Sequence, residues 1–256
     1  MKIALVDSGI GLLAAAAAVR RIRPDADLVL SSDPGGMPWG PRTPGDLTGR
    51  ALACARAALV HRPDALVVAC NTASVHALPA LREAFEPDVP VIGTVPAIKP
   101  AAAGGGAVAI WATPATTGSP YQRGLIDAFG NGAAITEVPC PGLADAVQRA
   151  DTAAVDAAVL AGAALTPPGV RAIVLGCTHY ELVADRIAAA VPGARLYGSA
   201  DAVAAQALRR IGADPAPGGG AAAGGLTVIL DGREAALPEA ALAYAEGASL
   251  VTPATA

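Results

Sequence analysis

Ala65-Leu-Val-Val-Ala-Cys70-Asn-Thr-Ala73 and Ala172-Ile-Val-Leu-Gly-Cys177-Thr-His-Tyr180 read almost as copies of one another. Each is a short apolar run rich in Val, Ile and Leu that ends in one cysteine, followed by small hydrogen-bonding residues. A continuous run of that kind is the signature of a strand buried on both faces of a parallel sheet. A helical stretch follows each run, expected over Ser74 to Phe85 and over Glu181 to Val191. In open parallel sheets, ligands and chemistry collect at the carboxyl ends of the strands. The two segments therefore set one thiol at the active edge of each of two similar halves.

Outward from these strands, strand and helix signals alternate along nearly the whole chain, which predicts an α/β class with a mainly parallel sheet. In the first half the expected elements are a strand at Lys2–Asp7, a helix at Gly11–Arg23, a strand at Asp27–Ser31 and a helix at Gly45–Val60. A Gly/Pro-rich loop from Asp33 to Pro44 separates the last two, and Val91–Gly93 begins a further strand. A second set begins near Gly106: strands at Ala107–Trp111, Ala134–Val138 and Arg195–Tyr197, with helices at Pro120–Phe129, across Gly142–Leu165 and at Ala200–Ile211. Ala213–Gly225 reads as a flexible connector before a last strand at Leu226–Leu230 and a helix at Pro238–Glu246. Val6-Asp7-Ser8-Gly9 and Trp111-Ala-Thr113-Pro both end a strand with a hydroxyl group before a helix, which points to an internal duplication with a cleft at the junction.

Composition narrows the class. At 256 residues the chain can bury a substantial core. The charge-free stretch from Pro100 to Gln122 is long enough to span a bilayer, but Gly104–Gly106, Pro114, Gly118 and Pro120 interrupt it, and a membrane span is not expected. Lys2 to Asp7 enters a strand directly, leaving no room for a secretion signal. Cys54, Cys70, Cys140 and Cys177 lack the spacing of a disulfide scaffold or a zinc ribbon and suit a reducing cytoplasm. A net charge of −4 and the lack of a large basic cluster give nucleic-acid binding little support.

Two thiols on facing halves suit one kind of chemistry. Inverting a carbon centre requires one group to remove a proton and a second, on the opposite face, to return one. The α-carbon of an amino acid is a weak acid, so the base must be reactive and the developing charge must meet preorganised donors. A thiol, with a reference pKa near ~8.5, becomes a competent base when a helix amino terminus or a cation lowers that value. Ser8, Asn71, Thr72, Thr113, Thr116 and Thr178 supply polar groups at strand–helix turns, and Asp7 and His179 are titratable neighbours. Lys2 and Lys99 are the only lysines and neither is placed for a Schiff base with pyridoxal phosphate, so no cofactor is expected.

Plainer readings stand beside these. A single cysteine at a buried strand end is commonly a small apolar filler, and Asp7 is placed to cap a helix. Cys54 and Cys140 read as structural, and His61 and His76 as helix residues with surface or packing roles. A zinc site from Cys70, His76, Cys177 and His179 matches no closed motif, so no metal is expected. Gly104–Gly106 lacks the ending of a phosphate loop.

Asp7-Ser-Gly-Ile-Gly11, Cys70-Asn-Thr-Ala-Ser74, Gly93-Thr-Val-Pro-Ala-Ile-Lys-Pro100, Ala112-Thr-Pro-Ala-Thr116 and Gly176-Cys-Thr-His-Tyr180 together resemble the glutamate racemases of the aspartate/glutamate racemase superfamily. The resemblance runs from residue 3 to about residue 210, in the family's order and spacing. It implies a cytoplasmic, cofactor-independent enzyme that interconverts L- and D-glutamate for peptidoglycan synthesis, acting as a homodimer. It also implies two pseudo-symmetric α/β domains, each with a mainly parallel sheet flanked by helices and with the active site at their interface. The expected division is residues 1–95 plus 210–256 for the first domain and 96–209 for the second. Carried over, Cys70 acts on the D-glutamate face and Cys177 on the L-glutamate face, assisted by Asp7 and His179 respectively. Ser8, Asn71, Thr72 and Thr178 bind substrate, with Thr113 and Thr116 as additions.

The chain also departs from the family pattern. Leu12 replaces a glycine, Gly198 stands where an aspartate is common, and Leu226–Asp231 departs from the family's threonine-rich strand. Pro38-Trp39-Gly40 stands where the family has Pro-Tyr-Gly, so Trp39 and Gly40 join the expected binding residues. The alternatives are a racemase of another acidic substrate in the same superfamily, or a non-catalytic protein that binds a small acid. His179 after the second Cys-Thr favours glutamate over aspartate, and two intact thiols weigh against a simple binder.

Overall fold

A computed structural model describes residues 1–217 and 223–251. Residues 218–222 of the expected connector and 252–256 of the tail lie outside the described residues. The described strands are β1 (Lys2–Asp7), β2 (Asp27–Ser32), β3 (Ala65–Val68), β4 (Val91–Gly93), β5 (Ala107–Ala112), β6 (Ala134–Pro139), β7 (Ala172–Leu175), β8 (Arg195–Tyr197), β9 (Leu226–Leu230) and β10 (Arg233–Ala235). They form a six-stranded sheet in the order β10-β9-β2-β1-β3-β4 and a four-stranded sheet in the order β6-β5-β7-β8. Every pairing is parallel except β10 with β9. The α/β class with two mainly parallel sheets flanked by helices is therefore the fold of this chain.

The chain divides into two compact units. The first comprises Met1–Thr94 and the chain from Ala200 onward; the second is Val95–Ser199. The expected boundary after residue 209 is corrected: the helix Ala200–Arg210 belongs to the first unit, packed on the helix Leu13–Ile22 and against β3 and β4. Its buried face is Val203, Ala204, Ala207 and Leu208, and the facing helix buries Leu13 through Val19. Alanines at that contact let two helices approach closely, which accounts for the run Ala14–Ala18 as packing surface.

In the first unit, β1 from Ile3 onward and all of β3 are buried central strands, and Ala4, Val6, Leu66 and Val68 pack with Trp39, Leu47, Leu81 and Ile229 in one apolar cluster. In the second, Val108, Ile110, Ala172 and Val174 play the same part with Ile98. Among the described residues no helix is long and apolar enough to cross a membrane.

Three local differences from the sequence reading have physical causes. The stretch after Cys70 is two helices, Asn71–His76 and Leu78–Phe85, broken at Ala77 just before Pro79, and helix begins at once after the cysteine. The same holds after Cys177, where Thr178–Glu181 precedes Ala184–Ala190. His61 lies beyond the helix Pro44–Leu59, in a turn closed by its N–H on the Ala58 carbonyl. β10, three exposed residues, offers no apolar pattern to read.

Candidate functional site

The two cysteine strands end in the same way. β3 lies beside β1 with Val6 opposite Val68, and β7 lies beside β5 with Trp111 opposite Leu175. Ala69 N–H donates to the Val6 carbonyl at 2.8 Å, and Gly176 N–H to the Trp111 carbonyl at 2.7 Å. The next residue in each case is the cysteine, in extended conformation and at the N-cap of a short helix. At Gly176 the approach is close, since a Cβ there would sit 2.8 Å from the Trp111 carbonyl oxygen. By the same equivalence Ser8 corresponds to Thr113. Each unit thus brings a thiol and a hydroxyl residue to the carboxyl edge of adjacent strands.

In the first unit, Asp7 closes β1 and is fully buried. Its Oδ1 accepts from Ser8 N–H at 2.6 Å and Ser8 Oγ at 3.2 Å. Cys70 and Asn71 are buried beside it, at 6% and 5% exposure, and Thr72 is half-buried. Asn71 Oδ1 and Nδ2 are both buried and have no partner among the described residues. An amide in that state carries a desolvation penalty that a bound polar group would relieve. The short 3-10 helix Ile10–Leu12 follows, with Gly9 as its N-cap residue.

Trp39 is 1% exposed and belongs to the apolar cluster that contains Cys70. Its Nε1–H donates to Asp33 Oδ2 at 2.9 Å, and Arg50 donates to the same oxygen at 3.0 Å. With its one donor committed to Asp33, the indole has only an apolar face to offer a ligand. Gly40, half-buried, follows it in the loop.

In the second unit, Cys177 Sγ stands 3.9 Å from His179 Nδ1, and His179 Nε2 stands 3.0 Å from Gln148 Oε1. The Gln148 carbonyl accepts, so Nε2 carries the proton and Nδ1 presents its lone pair towards the thiol. Burial pushes the His179 pKa down to about 4, so at neutral pH the imidazole is uncharged. Tyr180 is fully buried, its hydroxyl donates to the Cys140 carbonyl at 3.2 Å, and burial raises its pKa well above the usual tyrosine value. Thr178 is buried, whereas Thr113 and Thr116 are half-buried with their hydroxyl oxygens 3.2 Å apart.

Each cysteine is the N-cap residue of a short helix, of six residues after Cys70 and of four after Cys177, so neither thiol stands at the end of a long helix dipole. Cys54 and Cys140 are different: burial pushes both thiols up to about 12, and they stay protonated packing groups. His76 is exposed at the end of its helix. Sequence reasoning missed Gln148 and Asp33, the partners of His179 and Trp39. They are 31 and 6 residues from those partners, and no local pattern marks either.

Residues 11–207 match the Asp/Glu/Hydantoin racemase family. A protein named glutamate racemase from Roseiflexus sp. (strain RS-1) is 38% identical over 192 residues, spanning 73% of this chain and 70% of the relative. One from Pseudomonas putida (strain W619) is 34% identical over 214 residues, spanning 82% and 80%. Among solved structures, Escherichia coli glutamate racemase in complex with L-glutamate and the activator UDP-MurNAc-Ala superposes with a TM-score of 0.78 at 27% identity, covering 94% of this chain and 91% of that one. Thermus thermophilus glutamate racemase in complex with β-chloro-D-alanine superposes at 0.68 with 30% identity, covering 96% and 92%.

Proposed function

The chain belongs to the Asp/Glu/hydantoin racemase family, and from that premise we propose that it interconverts L- and D-glutamate by two-base proton transfer between Cys70 and Cys177. The observation that carries this reading is the matched pair of strand ends, β3 into Cys70 and β7 into Cys177, each thiol with a titratable neighbour in its own unit. In the proposed cycle one cysteine, as thiolate, takes the α-proton. The C–H electron pair moves into an enolate-like system held by hydrogen-bond donors, and the other cysteine, as thiol, returns a proton to the opposite face. The reverse reaction exchanges the two roles. Cys70 acts on the D-glutamate face and Cys177 on the L-glutamate face.

Asp7 assists Cys70, and His179, neutral and with Nδ1 open to the thiol, assists Cys177. Ser8, Asn71, Thr72 and Thr178 bind the substrate, with Thr113 and Thr116; the unpaired Asn71 amide is the group with most to gain from a ligand. Gly40 contributes backbone and Trp39 an apolar wall. The chemistry needs no cofactor, because two thiols and fixed dipoles supply both proton transfers. We place the activity in the cytoplasm, in a homodimer, supplying D-glutamate for peptidoglycan.

The test is incubation of the purified protein with L-glutamate in deuterium oxide, with no added cofactor. Optical rotation is expected to decay while deuterium enters the α-position. A lack of exchange with glutamate would overturn the reading, and exchange with aspartate alone would keep the mechanism and change the substrate.

A further inference from the structure

Thr113 to Ser119 is a tight loop between β5 and the helix Pro120–Phe129. The Thr113 carbonyl accepts from the N–H groups of Thr116 and Thr117, at 2.9 and 3.0 Å, and from Thr117 Oγ1 at 3.1 Å. The Thr116 carbonyl accepts from Ser119 N–H at 3.1 Å, and Ser119 Oγ caps the helix by accepting from Gln122 N–H at 3.1 Å. These bonds fold the loop on itself, but its position relative to the sheet depends on one further group. Glu137 Oε2, on the neighbouring edge strand β6, accepts from Gly118 N–H and, at 3.0 Å, from Gln122 Nε2.

That carboxylate joins the last part of the loop to the first turn of the helix. Gly118 has φ of +69°, a conformation that suits glycine, so its N–H is aimed by a turn that other residues adopt under strain. Gln122 is 2% exposed, and its Oε1 is buried with no partner among the described residues, so the bond to Glu137 is what orients this amide. Bonds to a charged acceptor are stronger than those between neutral groups. The beneficiary is the hydroxyl pair Thr113 and Thr116, 3.2 Å apart at the end of β5.

We propose that Glu137 is a positioning residue for substrate binding, holding the Thr113–Thr116 hydroxyl pair in place through Gly118 and Gln122. The inference rests on the reading above, in which those threonines bind the substrate. Glu137 takes no part in proton transfer, so its loss should appear in KM and leave kcat largely intact. The variants are Glu137→Ala, Glu137→Gln, which keeps a neutral acceptor and the side-chain shape, and Asp151→Ala. The last removes the N-cap of the helix Thr152–Leu165, where Asp151 Oδ1 accepts from Ala154 N–H at 3.0 Å, and serves as a destabilised control in the same unit.

Loss of one or two positioning hydrogen bonds predicts a KM for glutamate raised about 10-fold in Glu137→Ala and about 3-fold in Glu137→Gln, with kcat within about 3-fold of the parent in both. Asp151→Ala should lower the melting temperature without moving KM. Hydrogen–deuterium exchange of the peptide spanning residues 113–119 reads the loop independently of turnover and should accelerate in Glu137→Ala alone. An unchanged exchange rate, or faster exchange with an unchanged KM, would overturn the proposal. A parent protein that exchanges no glutamate α-proton would instead overturn the proposed function, while the exchange measurement would still decide whether Glu137 holds the loop.

Discussion

His179 Nε2 and Gln148 Oε1 stand 3.0 Å apart, a bond that joins the helix Leu143–Gln148 to the residue two beyond Cys177. An amide carbonyl can only accept, so it selects the Nε2–H tautomer and leaves Nδ1 as the nitrogen nearest the thiol. It is also uncharged, so it gives no support to an imidazolium, and burial alone decides the protonation state. A carboxylate in the same place would select the same tautomer but favour the charged ring. The side chain at 148 thus separates orientation of His179 from its charge.

That separation predicts a stability profile. The His179 pKa falls from 6.5 to about 4 on folding, so between those pH values the unfolded chain binds more protons. The contribution is fully present above about pH 6.5 and is lost as pH falls, amounting to on the order of 3 kcal/mol by pH 4. Denaturant unfolding from pH 8 to 4 should show His179→Asn with a shallower fall than the parent over this window. Gln148→Glu should also show a smaller fall, still beginning near pH 6.5 but ending at a higher pH, because the carboxylate raises the folded-state pKa and narrows the gap to the unfolded value. Parallel curves for all three proteins would contradict the assignment.

The two thiols predict a loss on both faces. Cys70→Ser and Cys177→Ser should each lower racemisation by at least about 10³-fold, since a serine hydroxyl is a far poorer base at neutral pH. One-sided chemistry should survive. A mutant that retains one thiol can still exchange the α-proton of one glutamate enantiomer with solvent, or eliminate a leaving group from an analogue. Nuclear magnetic resonance of each enantiomer in deuterium oxide reads this directly, and normal racemisation by either mutant would rule out the two-thiol mechanism.

The fold was legible because β3 and β7 are buried on both faces, and strands in that position have no polar face to interrupt an apolar run. Their one-residue extensions, Ala69 to Cys70 and Gly176 to Cys177, made the thiols visible as strand-end groups. What stayed hidden was polar pairing at a distance. Gln148 serves His179 from 31 residues away, and Glu137 serves Gly118 from 19, and neither leaves a periodicity because such bonds depend on packing of elements and not on their own pattern. The unit to which the helix Ala200–Arg210 belongs is hidden for a related reason: its apolar face specifies that it packs, and not against which sheet.

Asn71 predicts a trade of stability against binding. Its amide is buried with both polar atoms unpaired, a state that costs about 1–3 kcal/mol in the free protein. Asn71→Leu removes the stranded groups while keeping side-chain bulk, so it should raise the melting temperature by a few degrees. The same change should weaken glutamate binding about 10-fold or more, read by calorimetry on the parent and the variant. Equal binding by the two would mean that the amide has another partner.

The four cysteines should separate by reactivity. Cys54 and Cys140 are buried with pKa values pushed up to about 12, so in the native state almost none of either is thiolate. Cys177 is partly exposed and Cys70 is 6% exposed at a helix start. A disulfide reagent at pH 8 should therefore modify Cys177 first and abolish turnover in step with that single modification, with glutamate slowing both. Cys54→Ala and Cys140→Ala should keep kcat within about 3-fold of the parent, and their penalty should appear as about 1 kcal/mol or more of lost stability, from the cavities they leave. Mass spectrometry of the labelled peptides assigns the order. Labelling of Cys54 or Cys140 ahead of Cys177 would mean that the packing around those two thiols opens faster than the site itself is reached, and their assignment to packing would fail.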